Sequence, residues 1–332
     1  MKKKPRRAVS CWCVAFVALL VACRGKKDAP EASQSQALGP HHVTLALDWV
    51  PEPEFGGFYA GRETGAYKRR GIELEVQGGG AGAPVVQEVA TGRVDFGTVG
   101  ADALIGARAH GADVVAVFAT FQKSPQGIMV HASRKLATLE DAFHSGTLAL
   151  ETGLAYASFL KAKFSWSGVK VVPYDGGVAH FLADPNFGQQ CYVTSEPIAA
   201  KKQGGDPQVF MIADSGFNPY VTVVITRREL IDKNPELVKS FVAASRDGWQ
   251  SYLAAPQATN ELLHRLNPAL DPSSLAAAAA AEKELIAGDD AARLGIGAMT
   301  RARWAALASE LLALKLIDKP AAVDELFWPA TG

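Results

Sequence analysis

From residue 43 onward, short apolar runs alternate with stretches whose apolar residues recur every three or four positions. VTLALDW (43–49), IELEVQ (72–77), FGTVG (96–100) and VVAVFATF (114–121) read as strands, with helical patterns over 58–71, 84–92 and 102–111 between them. The alternation then repeats, with strands predicted at 127–132, 147–151, 170–175, 191–195 and 208–214, and one more at 220–227. Strand and helix alternating at this spacing build a largely parallel sheet with helices on its faces. Beyond residue 227 the pattern is helical. Asn234-Pro235 and Asp271-Pro272 each set a cap and a first-turn proline before a helical run, and a third amphipathic helix is predicted over 301–316. The fold class is therefore α/β: two α/β lobes joined by paired crossover strands, with a ligand cleft between them. Loops at the carboxyl ends of parallel strands are where such sheets bind ligands.

The N-terminus adds an address. Five of the first seven residues are basic, and an apolar run over 14–22 stops at Cys23. This is the pattern of a secretory signal, and its apolar core is too short to span a bilayer. Leu20-Val21-Ala22-Cys23 resembles the lipobox of bacterial lipoprotein signals, which implies cleavage before Cys23, a diacylglyceryl thioether on its sulfur, and a lipid-anchored protein on the periplasmic side of the cell envelope. Residues 1–22 are then the signal peptide. Residues 23–41, polar and rich in Ser, Ala and Pro, are a flexible tether.

Composition narrows the chemistry. Of four cysteines only Cys191 lies in the folded body, so no internal disulfide and no thiolate zinc site is expected, and Cys191 reads as a small buried hydrophobe. Losing residues 1–22 removes five basic residues and no acidic one, leaving 29 Lys/Arg against 34 Asp/Glu. Nothing in that balance points to nucleic acid. The seven histidines are scattered without metal-ligand spacing. The Gly78–Ala83 run does not follow the first strand, as a dinucleotide site requires, and no Gly-x-Ser-x-Gly elbow is present.

The densest stretch is LDWVPEPEFGGFYAG, residues 47–61. Asp48 and Trp49 end the first predicted strand, Pro51 and Pro53 stiffen its exit, and Gly56-Gly57 allow a close backbone approach. Trp49, Phe55 and Tyr59 are expected to form an aromatic box for a flat ligand, with Glu54 or Asp48 as polar contact, and Phe58 to pack the helix onto the sheet. Gly100 and Asp102 open a helix whose amides are available donors. Glu151 to Gly153 with Tyr156, and Asp175 with Gly176-Gly177, occupy the matching turns of the second lobe.

Asp48-Trp49-Val50-Pro51, Gly57-Phe58-Tyr59-Ala60, Gly65-Ala66-Tyr67-Lys68, Gly71-Ile72-Glu73-Leu74, Asp95-Phe96-Gly97 and Tyr192 to Pro197 resemble the periplasmic pyrimidine-precursor-binding proteins of thiamine salvage. Sulfonate, taurine and nitrate binders and the thiamine-pyrimidine synthase are relatives of that family. The resemblance implies a type II periplasmic binding protein, a monomeric receptor that closes on a small-molecule ligand and delivers it to the permease and ATPase subunits of an ABC importer. It further implies that residues 42–128 and 221–332 form one lobe and 129–220 the other, and that Glu196 receives the ring amine. Family members that handle the pyrimidine carry Asn and His where this chain has Glu52-Pro53-Glu54-Phe55, and the synthase branch carries a cysteine cluster where Cys191 stands alone. No catalytic residue and no cofactor is therefore expected. A sulfonate, taurine or nitrate receptor is the alternative, disfavoured by the acidic loops.

Overall fold

The computed structural model describes residues 40–151 and 153–329; the signal, Cys23 and the tether up to residue 39 lie outside them. Ten strands form two five-stranded sheets. The first contains β1 (His41–Ala46), β2 (Ile72–Gln77), β3 (Phe96–Val99), β4 (Val114–Phe121) and β10 (Val221–Arg227), in the order β2-β1-β3-β10-β4. The second contains β5 (Gln126–His131), β6 (Thr147–Leu150), β7 (Lys170–Pro173), β8 (Phe187–Tyr192) and β9 (Pro207–Met211), in the order β7-β6-β8-β5-β9. In each sheet one strand is antiparallel to both its neighbours: β10 between β3 and β4, and β5 between β8 and β9. The chain passes between the sheets twice, through residues 122–125 and 212–220. The fold is the two-lobed α/β arrangement with paired crossings expected from the sequence.

The burial of each strand follows its sequence. In β4, VVAVFATF is buried at all eight positions, as a central strand covered on both faces must be. In the edge strand β2, IELEVQ starts by alternating buried and exposed, with one face toward water. Helices α1 (Gly56–Glu63), α2 (Val85–Ala90) and α3 (Ala101–Ala109) follow β1, β2 and β3, while α4 (Ala155–Lys163), α5 (Ala179–Ala183) and α6 (Glu196–Lys202) serve the second sheet. The tail adds α7 (Arg228–Lys233), α8 (Pro235–Ala254), α9 (Gln257–Leu266), α10 (Pro272–Ala287), α11 (Asp289–Leu294), α12 (Arg301–Ala313) and α13 (Val323–Leu326).

Helices α1 and α8 cross with almost nothing between them. A Cβ on Gly57 would fall inside the ring of Trp249, and one on Gly248 would meet the Gly57 carbonyl. Phe58 packs edge-on against Trp249 and Phe118, at 5.8 and 6.2 Å between centroids, which places it in the core as its sequence context suggested.

Three local expectations are corrected. The strand predicted at 191–195 runs instead over Phe187–Tyr192. Its first half carries Gln189 and Gln190, which are buried but hydrogen-bonded, to Gly177 O (2.9 Å) and by the Glu151 amide (2.6 Å), so it lacks the apolar signature of a buried strand. Asn234 makes no side-chain cap, whereas Asp271 accepts from the Ser273 and Ser274 amides as expected of an N-cap. Helix α9 has no proline-marked start in the sequence and was not foreseen.

Candidate functional site

The exit of β1 is held from two sides. Thr98 Oγ1 on β3 donates to Asp48 Oδ1 at 2.5 Å and accepts the Asp48 amide at 3.0 Å. The Gly79 amide donates to Trp49 O at 2.9 Å, and a side chain on Gly79 would strike the Leu47 carbonyl, so only glycine permits this approach. A single 3-10 turn over Pro53–Phe55 then turns the chain into α1, and Asn267 braces it by donating to Pro51 O at 3.3 Å.

This turn separates the three aromatics. Trp49 is 36% exposed. Phe55 and Tyr59 are 0% and 2% exposed and belong to the core beneath the first sheet's tail helices. The box of Trp49, Phe55 and Tyr59 is not assembled: burying two rings in the core outweighs a place at the mouth, and Trp49 alone presents a face to solvent.

In the second lobe Glu196 opens α6 and both its oxygens are engaged. Tyr174 O–H donates to Oε1 at 2.5 Å and the Tyr192 amide to Oε2 at 2.7 Å. The Tyr156 hydroxyl donates to Gln190 Oε1 at 2.5 Å, the oxygen that also takes the Glu151 amide. The Glu151 side chain is exposed. Asp175 turns back on its own loop, accepting the Gly177 amide at 3.2 Å and lying 3.4 Å from His180, and does not join the other carboxyls.

The remaining acidic groups share one field. Burial raises Asp48, Asp102 and Glu196 above the ordinary carboxyl range, against hydrogen bonds that lower them. Burial, followed by the Glu196 charge, pushes Glu52 up to about 7. Glu54 is raised further by burial and then by Glu52, Asp48, Glu282 and Glu196. The Tyr192 phenol is raised by burial and by Glu54, Asp48, Asp102 and Glu196, which places it among them. One buried apolar cluster takes in Ala101 and Leu104 of α3 and Ala155 and Tyr156 of α4, so the two lobes share a core here. Gly100 precedes α3, and a Cβ there would meet the Asp102 carboxyl.

Sequence reasoning missed Tyr174, Gln189, Gln190 and Glu282. Glu282 had a signal: the buried stripe of α10 is Leu275, Ala278, Ala279, Glu282, Leu285 and Ile286, and one charged residue on an apolar stripe is out of place. At the rim, Lys202 on α6 pairs with Asp271 at the start of α10, and a cavity of about 160 Å3 beside them is bordered by Glu52, Thr194, Ser195 and Leu270.

The arrangement offers acceptors rather than catalytic groups. Cys191 is 1% exposed, and burial and Glu196 raise its thiol, so it is no nucleophile. Among the described residues no three His, Cys, Asp or Glu side chains are grouped to hold a metal ion.

Comparison with known proteins bears on the family and the fold. The riboflavin-binding protein RibY of Chloroflexus aurantiacus is 25% identical over 334 residues, covering 95% of this chain and 94% of the relative. A 4-amino-5-hydroxymethyl-2-methylpyrimidine phosphate synthase of Legionella pneumophila is 20% identical over 244 residues, 69% of this chain and 74% of that one. The periplasmic aliphatic sulphonate binding protein SsuA of Escherichia coli superposes with a TM-score of 0.69 at 15% identity, over 88% of this chain and 94% of its own, which establishes a shared fold. The family model described as NMT1/THI5 like matches residues 52–259, spanning the turn that carries Glu54, the second lobe and α8, and the chain belongs to that family.

Proposed function

We propose that this protein is the solute-binding receptor of an ABC importer, exported and held at the cell envelope by a lipid on Cys23, and that it takes a small nitrogen-bearing heteroaromatic such as a thiamine pyrimidine precursor. The observation that carries this reading is the set of half-buried acidic groups, Asp48, Glu52, Glu54, Asp102 and Glu196, at the exit of β1 and the starts of α3 and α6. Carboxyl groups there suit a ligand that brings N–H donors. The names of the two sequence relatives, a flavin binder and an aminopyrimidine phosphate synthase, both concern nitrogen heteroaromatics. A sulfonate, by contrast, is disfavoured beside so many acidic groups.

Trp49 supplies an exposed ring from the first lobe and Glu196 a fixed carboxyl from the second. A ligand touching both favours the closed arrangement, the two-state behaviour on which delivery to a permease depends. The receptor acts as a monomer, with the ABC permease and ATPase as partners, and it turns nothing over: neither a reactive thiol nor a histidine lies among the cleft residues.

A melting series tests the reading. An aminopyrimidine (4-amino-5-hydroxymethyl-2-methylpyrimidine) or riboflavin should raise the melting temperature, because a ligand that binds only the native state stabilises it by mass action. An alkanesulfonate should leave it unchanged. A rise with the sulfonate alone would overturn the proposal, and consumption of the heteroaromatic would revive an enzymatic role.

A further inference from the structure

Helix α10 joins two places that matter for closing the cleft. Near its carboxyl end the Leu285 carbonyl accepts the Gln122 amide (2.8 Å) and the Lys123 amide (3.1 Å), so the helix grips the first crossing between the sheets. That crossing is tied to the second: the Ser124 amide donates to Asn218 Oδ1 at 2.8 Å, and Lys123 pairs with Asp214 at 2.7 Å. The two crossings are the joint about which the lobes turn. At its other end α10 begins at Pro272, behind the Asp271 cap. The stretch from Asp271 to Leu285 spans about 21 Å at a rise of about 1.5 Å per residue, so the start of the helix stands far from the joint.

The Asp271 carboxylate is fixed where it stands. It accepts the Ser273 and Ser274 amides at 3.0 and 3.2 Å and their hydroxyls at 2.6 and 2.5 Å. Lys202 on α6, beside the second sheet, reaches across to it and donates also to Ser273 Oγ at 3.3 Å. Both residues border the cavity of about 160 Å3, whose walls are Glu52, Pro53 and the start of α10 on one side and Thr194, Ser195 and Ile198 on the other. The pair therefore spans the mouth between the lobes rather than tying one lobe to itself. A turn of about 20° at the joint moves the tip of α10 by about 7 Å relative to α6, beyond the reach of an ion pair. The pair belongs to the closed arrangement alone.

We infer that the Lys202–Asp271 pair is a latch between the lobes, and that Lys202 is a positioning residue that sets ligand affinity without touching the ligand. The inference rests on the receptor reading above and adds to it that part of the closing free energy comes from the protein itself. The two side chains are 48% and 36% exposed, so the latch is weak and sensitive to salt. A pair of this kind favours closure about two- to fivefold, enough to bias the equilibrium and too little to replace the ligand. Apparent affinity scales with the fraction of receptor in the binding-competent arrangement, so losing the latch lowers it by up to that factor.

The test uses the full mature chain with Lys202→Met, which keeps the stem and loses the charge, Asp271→Asn, which keeps the cap, and the double variant. In small-angle X-ray scattering without ligand, each variant should have a larger radius of gyration than the wild type at low salt, and high salt should bring the wild type to the variants' value. Equal radii at low salt would overturn the inference. For whichever of 4-amino-5-hydroxymethyl-2-methylpyrimidine and riboflavin binds the wild type in calorimetry, each single variant should bind about two- to fivefold more weakly. The double variant should bind no more weakly than either single one, because the two residues act as one pair. Unchanged affinity, or losses that add in the double variant, would also sink the latch. If the wild type binds neither probe, the heteroaromatic reading fails by itself, and the scattering comparison still decides whether the pair holds the lobes together.

Discussion

Glu196 and Trp49 are the side chains on which the binding reading rests most directly. Glu196→Gln keeps the shape of the residue and loses its charge, so affinity for an N–H-bearing ring should fall by about 1.5–3 kcal/mol in calorimetry. Trp49→Ala removes the exposed ring and should cost about 1–2 kcal/mol of binding, with little loss of stability, since Trp49 is 36% exposed. Glu52 gives a pH signature. Its carboxyl is raised from 4.5 to about 7, so the native state holds its proton across that window while the unfolded chain releases it. Stability therefore falls as pH rises through that window. The melting temperature of the ligand-free protein should drop between about pH 5 and about pH 8, and Glu52→Gln should flatten the drop. Asp206, lowered from 3.8 to about 2 by its hydrogen bond from His131, acts in the opposite sense and only at lower pH, so the two effects separate. At this scale the sequence offered Asp48 and Glu54 as candidates through the prolines and aromatics around them, and Glu196 only through the family resemblance. It did not disclose that Phe55 and Tyr59 are core, since an aromatic beside prolines and glutamates looks the same in a box or beneath a helix. Only the three-dimensional direction of the Pro53–Phe55 turn decides between them.

At the scale of elements, the crossing of α1 and α8 is the tightest joint. Gly57→Ala would drive a methyl group into Trp249 and should destabilise the fold by about 1–3 kcal/mol in chemical denaturation, the usual cost of overpacking. The start of α10 has two duties that mutation can separate. Asp271→Ala removes both the cap on the Ser273 and Ser274 amides and the pair with Lys202, and should cost about 1 kcal/mol of stability. Lys202→Ala leaves the cap intact, should change stability little, and should loosen only the contact between α6 and α10, seen as faster hydrogen exchange at α6. Strands whose burial is apolar, such as β4, were legible from sequence to the residue. Strand β8 was not, because Gln189 and Gln190 are buried through hydrogen bonds, and hydrophobic periodicity is blind to that kind of burial.

For the whole molecule, the two sheets and their double crossing make two lobes, with Asp48 just after β1 and Asp102 in α3 in the first and Glu196 at the start of α6 in the second. The alternation of strand and helix made this architecture readable. That α3 and α4, from different lobes, share one apolar cluster depends on long-range packing that no local pattern encodes. If Cys23 carries the lipid, the intact mass of the native protein should show a chain starting at an acylated Cys23, and Cys23→Ser should leave the membrane fraction. The most direct measurement is mass spectrometry of the small molecules released on denaturing the receptor purified from its own host. The expected result is one equivalent of a nitrogen heteroaromatic. Stoichiometric release of a sulfonate, nitrate or another anion would contradict the acidic-cleft account.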